Sequence, residues 1–559
     1  MGELETQCEQ NNSVSQEDND SSNLVYYLSH DSGKNDFIAW ILDISEDEYE
    51  MGIAKLKKNN AAFNVLHTLI SKIGKCTIVL EPCYVDRVYR DSYYFHYSGK
   101  HFDYERYCKR ICLFDGWLED KFFDMKSEQL NPKFIGSIVI RPIHGREIGR
   151  TLLNPKYFMK NNFGYMRLTD YDVTVYGKRL HVQAFPYSMQ DGETTSCAEI
   201  TILNLLDYFS QRYSEYHYLL PSSISKIAEQ SSFERRIPTI GLSYELISKI
   251  FCEAGFYPRL YATKKMEKSK FQHILQYYIE SGIPIALGLK VSNNAKHSVV
   301  VVGYLRSDKR KISEIQTCTF DSDTMDTVWT CDVADTVTDY CIMDDNVEPY
   351  SISECHRISE EEDGSLSALL MGKYEIEYMM VPLYKRMYLE AADAYDICLS
   401  LLANKAYSYF ASDKALESLR KQYTDIDEIG SRDNPFVTRV FMSSSRSFRR
   451  HRDIQFNKDN HEIRDIYNVT AFPKFVWVCE LSTKKMYMDG KILGEIIIDA
   501  TSSADAKAES FIVIHYPGVV CYRMQDDLVK GVQPQFYELD DWRPFTCFDG
   551  NLASVRGGE

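Results

Sequence analysis

Three residues far apart in the chain have the types and settings of a nucleophile, a proton carrier and an orienting carboxylate. Cys197 lies in QDGETTSCAEITILNLLDYF, Gln190 to Phe209, where a polar run turns apolar with helical spacing. The thiolate, not the thiol, attacks, and a free thiol with a pKa of about 8.5 is mostly protonated at neutral pH. A helix N-terminus and a neighbouring imidazolium both favour the thiolate. Ser196-Cys197-Ala198-Glu199 has the S-x-x-E form of a capping box, which predicts Cys197 as the first helical residue. Ala198, Ile202, Leu205, Leu206 and Phe209 then share one helical face. Taken alone, this pattern more often marks a buried structural cysteine.

His297 stands immediately before SVVVVGY, a continuous apolar run that reads as a buried strand. The preceding GIPIALGLKV is a second strand, with SNNAK as the bend between them. Such a hairpin presents His297 at a sheet edge, where it can face a helix carrying Cys197. DYCIMDDNVEPY puts Asp344 and Asp345 at a strand end. A carboxylate that accepts from one imidazole nitrogen fixes the tautomer and stabilises the imidazolium. Asp344 directly follows the apolar run and is the preferred orienter, with Asp345 the alternative. Each feature has a bland structural explanation; the ordered set is much more specific.

The elements that must position these residues fall in helix-then-strand order. TILNLLDYF, SYELISKIFCEAGF and FQHILQYYIESG read as helices, the last two ending in glycine stops. IPIALGLKV, HSVVVVGYL, ISEIQTCTF, DYCIMDDN and KYEIEYMMVPLY read as strands of one sheet. Helices first and an antiparallel sheet afterwards indicate an α+β fold.

In these segments the chain resembles the papain-like cysteine peptidase fold, closest to its bacteriocin-leader-processing branch. SGIPIALGLKVSNNAKHSVVVVGY is similar to the strand, bend and catalytic-histidine strand of that fold, and MDDNVEPY to its Asp-bearing strand end. QDGETTSCAE is similar to the segment joining an oxyanion-hole glutamine to the nucleophile. The resemblance covers about 180–390. It implies Cys197 as nucleophile, His297 as general base and acid, Asp344 as orienter and Gln190 as oxyanion donor beside the Cys197 backbone N–H. It implies a cysteine hydrolase, most simply a peptidase acting on a peptide or protein, with no metal or organic cofactor. The same apparatus serves isopeptidases, deamidases and acyl transferases, and a vestigial triad would leave a binding or sensor module.

The remaining features are less pointed. His96, His101, Cys108 and Cys112 cluster in FHYSGKHFDYERYCKRICLF; the two cysteines are four apart, which suits one face of a packed helix better than a zinc site. SSSRSFRRHRD reads as a solvated loop, with anion binding the alternative. Glu480 and Asp499 lie near strand ends with nothing linking them to chemistry.

At 559 residues the chain suggests three or four domains. We expect an acidic, disordered tail over 1–35, an α+β unit over 36–175, the papain-like unit over 176–390 and a third α+β unit over 391–559. The third unit opens with the helical AADAYDICLSLLANKAYSYF, continues in PKFVWVCELS, GEIIIDATS and SFIVIHYPG, and has enough apolar strands for its own core. With 64 basic against 81 acidic residues the net charge is −17, which argues against nucleic acid as the main partner. No apolar run reaches the roughly 18–20 residues that span a bilayer, and MGELETQCEQNNSVSQEDNDSSN is no secretory signal. Fifteen scattered cysteines fit reduced thiols in a cytoplasm.

Overall fold

The computed structural model describes residues 24–558 apart from 30, 119–120, 160, 234–235, 293–294, 321–326, 360–365, 405–416, 418–419, 422, 424–425, 427, 457–460, 524–533 and 539–542. Its mixture of helices and strands, largely segregated along the chain, is the expected α+β class.

Three sheets organise the molecule. The first is an antiparallel meander of Val25–Leu28, Cys76–Tyr84, Cys108–Asp115, Phe134–Ile140 and Ile148–Leu153, in chain order. The helix Ala61–Ile73 packs beside it; Asn60 caps its start by accepting from Phe63 N–H, and Gly74 ends it. The central sheet runs Ile285–Lys290, Tyr374–Leu383, Leu366–Met371, Ser351–Ser359, Asp339–Met343 and Lys296–Leu305. Because Lys296–Leu305 also pairs with Ile285–Lys290, these six strands close a ring, which leaves no raw edge among them. Tyr257–Ala262 adds to one strand of the ring, and Phe163–Met166 followed by Ala553–Arg556 extends another. The third sheet comprises Thr317–Phe320, Thr327–Asp332, Phe436–Ser444, Phe475–Ser482, Gly494–Asp499, Phe511–Tyr516, Val519–Arg523 and Pro534–Glu538.

The predicted helices and strands of the central unit form with one exception. ISEIQTCTF was expected in the central sheet, but only Thr317–Phe320 is a strand, and it belongs to the third sheet. Its partner Thr327–Asp332 runs parallel to Phe436–Ser444. The sheets are therefore interleaved, and three expected boundaries need correction. Glu390 does not divide the sheets, because Thr317–Phe320 and Thr327–Asp332 join the third and Ala553–Arg556 joins the second. Residue 175 falls inside a two-stranded hairpin, Thr169–Val175 with Lys178–Ala184, and Phe163–Met166 already belongs to the central sheet. Within the expected tail, Val25–Leu28 pairs with Cys76–Val79, and a helix spans Asp31–Ile41. Tyr26 packs on Phe37 and Trp40, apolar contacts that the polar surroundings hid. Residues 1–23, and the expected helical continuation through 406–410, lie outside the described residues.

The joint near Glu390 is itself packed. Trp477 Nε1 donates to Leu389 O at 2.9 Å, and Tyr388 and Leu389 N–H both donate to Ala500 O. Tyr261 Oη donates to Glu390 at 2.7 Å. Among the described residues no helix is long and apolar enough to cross a membrane.

Two further local expectations are corrected. Cys108 and Cys112 stand on a strand, not a helix; residues four apart share a face in either, so the spacing could not decide. The arginine-rich run is the helix Ser445–Phe456, not a solvated loop. Its Arg452 is 0% exposed and is clamped between Glu480 and Glu495 at 2.9 and 2.6 Å. Arg439 extends the cluster, bonding Glu480 at 2.7 Å and Glu280 at the end of helix Lys268–Glu280 at 2.6 Å. Glu480, silent in the sequence, thus anchors the two arginines, of which Arg439 ties the third sheet to the central unit.

Candidate active site

The helix that carries the cysteine spans Cys197–Arg212, with Cys197 as its first residue. Its start is fixed by Glu199, which reaches back to accept from Ser196 N–H at 3.1 Å and from the Ser196 hydroxyl. Thr239 Oγ1 donates to the same carboxylate at 2.9 Å. Ala198 to Phe209 are buried, and Asp207 holds the helix to the first sheet through Arg150 at 2.6 and 3.1 Å. The nucleophile candidate therefore sits at the half-exposed tip of a rigid, immersed helix.

The loop before it is equally fixed. Asp191 Oδ1 accepts from the N–H groups of Glu193, Thr194 and Thr195 at 2.9, 2.8 and 2.8 Å. Gly192 lies at φ +76°, a conformation that favours glycine in this tight turn. Glu193 is bound by His96 and Lys100 from the first unit, so the loop before Cys197 is held from outside the central sheet. His96 thus serves a contact with Glu193 here, and Cys108 is buried among tyrosines.

His297 is the second residue of the strand Lys296–Leu305, and the hairpin expected from the sequence forms, with Leu289 opposite it. Asp344 directly follows the strand Asp339–Met343, which pairs with the histidine strand on its other side. His297 Nε2 and Asp344 Oδ1 are 2.7 Å apart. Asn346, which sequence reasoning overlooked, places its Nδ2 3.2 Å from the same nitrogen, and its N–H donates to Asp344 Oδ1 at 2.9 Å. With Nε2 occupied, Nδ1 is the ring atom left for another partner, and Cys197 is near enough to the ring to help hold its proton.

The electrostatics follow from this arrangement. Burial, with the ring 7% exposed, works against the charged imidazole. It is outweighed by the hydrogen bonds to Asp344 and Cys197 and by the field of Asp344 and Asp345, so the imidazolium persists up to about 10. Asp345 is the deeper of the two aspartates, 3% exposed, with its Oδ1 3.7 Å from Nε2. Burial lifts its carboxyl to about 6; His297 and the backbone N–H of Gln190 offset this in part, and Asp344 adds to it. Asp344, not Asp345, makes the short contact with the ring.

Gln190 lies at the mouth of the Asp191 turn, half-buried, with its backbone N–H toward Asp345. Its side chain makes no hydrogen bond to the described residues. A residue the sequence did not flag, Tyr378, is an electrostatic neighbour of the thiol. Gly288 leaves room for its ring, since a Cβ there would lie 2.1 Å from a ring carbon. The ring meets Tyr244 edge-on at 6.1 Å. Burial raises the Tyr378 hydroxyl to about 12, and Cys197 is among the neighbours that add to this. The only signal for Tyr378 was an aromatic residue on the last strand of the central sheet.

Cys197, His297 and Asp344 thus come together from a helix start, a strand start and a strand end. The arrangement is a thiol near an imidazole whose other side is held by a carboxylate. No protein-family model matches the chain, and no curated protein matches it.

Proposed function

We propose that the protein is a thiol hydrolase with a papain-like central unit, acting through Cys197, His297 and Asp344 on an acyl bond, most simply a peptide bond. The observation that carries this reading is His297, held by Asp344 at 2.7 Å through Nε2, with the Cys197 thiol among the neighbours that help it keep its proton.

In this reading the Cys197 sulfur attacks the substrate carbonyl. The developing oxyanion is met by the Cys197 backbone N–H, unpaired at the first turn of its helix, and by the Gln190 side-chain amide. The His297 imidazolium gives its proton to the leaving amine as the tetrahedral adduct collapses to a thioester. The now neutral ring takes a proton from water, whose oxygen attacks the thioester and releases the acid and the thiolate. Asp344 keeps the ring oriented through both halves. The substrate is a peptide or protein, nucleic acid is not a partner at a net charge of −17, and the setting is a reducing cytoplasm. A transferase or deamidase would use the same thioester with another acceptor or leaving group.

Substoichiometric iodoacetamide at neutral pH followed by peptide mapping tests the nucleophile. Label should concentrate on Cys197 in preference to the exposed Cys83, Cys252 and Cys318. Label spread over those three, with Cys197 unmodified, would sink the reading and leave the papain-like binding module. Incubation with a peptide library, read by mass spectrometry, then identifies the bond cleaved.

A further inference from the structure

On the side of His297 away from the thiol, one imidazole nitrogen and two carboxylates converge. One ligand atom from each of His297, Asp344 and Asp345 lies within 4.8 Å of the others. Asp345 is 97% buried, and neither of its oxygens has a hydrogen-bond partner of full geometry. A buried carboxylate without hydrogen bonds is costly, and a bound cation is one of the few ways to satisfy it. We propose that His297, Asp344 and Asp345 form a binding site for a divalent transition metal, zinc by its donor set, and that its occupation switches off Cys197.

The donor set and geometry suit zinc. A nitrogen and two carboxylate oxygens with an open fourth position are ordinary zinc ligands at about 2.0–2.2 Å. Ligand atoms around such a tetrahedral ion stand about 3.4 Å apart. The 3.7 Å between Nε2 and Asp345 Oδ1 is already close to that, and the 2.7 Å to Asp344 need open by less than an ångström. Asn346 is exposed and Asp344 half-buried, so the ion can enter, and a water can complete its shell, from that side. Cys197 meets the opposite ring nitrogen and takes no part. Metal binding replaces the proton on Nε2, which passes to solvent, and leaves Nδ1–H pointing at the sulfur. Giving up that last proton would leave an imidazolate, so the ring can no longer deliver a proton to a leaving group and take one back from water.

The binding half of this proposal stands on geometry alone; the inhibition half rests on the thiol-hydrolase reading. Cobalt(II), a spectroscopic stand-in for zinc, is titrated into the full chain carrying Cys197→Ser. The expected result is one ion per chain with tetrahedral visible absorption. Asp345→Asn and the more exposed Asp344→Asn, each checked for folding by circular dichroism, should weaken binding at least tenfold. No uptake by the Cys197→Ser protein, or uptake that neither aspartate variant alters, overturns the site. A sulfur-to-cobalt charge-transfer band in the unsubstituted protein, absent after Cys197→Ser, would replace it with a Cys197–His297 site. In the unsubstituted protein, one equivalent of zinc should slow cleavage of the peptide library at least tenfold, with recovery on chelation, while Cys197 is still labelled by iodoacetamide. Binding without loss of cleavage overturns the switch and leaves the site. Absence of labelling even without metal defeats the hydrolase reading, while the cobalt result stands.

Discussion

The protein buries two histidines among charged groups, and it drives them in opposite directions. His297 sits beside Asp344 and Asp345 and holds its proton up to about 10. His515, wholly buried in the third sheet, is lowered to about 3 by burial and by Arg452. Carboxylates are plentiful in both places. Around His515 they are already taken: Glu495 and Glu480 are bound by Arg452, and Tyr467 Oη also donates to Glu495 at 2.6 Å. At the candidate site the cation that bonds the carboxylate is the histidine itself. A buried carboxylate matched by arginine makes structure, because guanidinium does not titrate in proteins. One matched by histidine keeps a proton that can move.

Removing each histidine's partner, or the histidine, tests this contrast. The largest expected effect is His297→Ala, which should slow iodoacetamide labelling of Cys197, and any turnover, by about 10²–10⁴-fold. Arg452→Met should leave the labelling rate per folded molecule unchanged. Equal losses from both would mean that the two clusters do not differ in kind. Next, Asp344→Ala should lower turnover by orders of magnitude, whereas Asp345→Ala should cost less, since it makes no short contact with the ring. The reverse ranking would transfer the orienting role to Asp345.

Arg452→Met should instead act on stability. Leaving Glu495 buried without its cation, with Glu480 held by Arg439 alone, should cost about 3–5 kcal/mol in urea unfolding. A loss under about 1 kcal/mol would show that the cluster relaxes into water.

The smallest effects are in the pH dependence of stability, and they have opposite signs. His515 is lowered in the folded state, so the unfolded chain binds more protons. Its contribution is complete above the ordinary value of about 6.5 and is lost as pH falls toward about 3. His297 is raised, so its contribution is complete below about 6.5 and is lost as pH rises toward about 10. His515→Leu should therefore flatten the acid limb of a plot of urea midpoint against pH, and His297→Ala the alkaline limb. Unaltered limbs would mean that neighbouring carboxylates, not these rings, set the profile.

Much of the candidate site was legible because its signals are local. S-x-x-E at a polar-to-apolar transition marks a helix start, and an unbroken run such as SVVVVGY marks a buried strand. What remained hidden depends on partners distant in sequence. RRHRD reads as solvated because nothing within it reveals Glu480 and Glu495, which make Arg452 a core residue. Asp344 and Asp345 are alike on paper; which one reaches His297 depends on where the strand stops and the chain turns. The grip of His96 and Lys100 on Glu193 comes from the end of a helix and a turn about one hundred residues earlier.

The interleaving of the sheets bears on how the chain is made. Between His297 and Asp344 the chain leaves the central ring, and its strand Thr327–Asp332 finds a parallel neighbour only at Phe436–Ser444. At about 5–20 residues per second, that neighbour leaves the ribosome several seconds after both residues have been synthesised. The edge at Phe163–Met166 waits longer still, for Ala553–Arg556. A nascent chain therefore carries the hairpin Thr317–Phe320 with Thr327–Asp332 beside its central ring with one edge still open, where it is exposed to chaperones and to misassociation. The first sheet can form in chain order, but the second and third cannot be completed one after the other, and a cut at Glu390 would leave that edge without its neighbour.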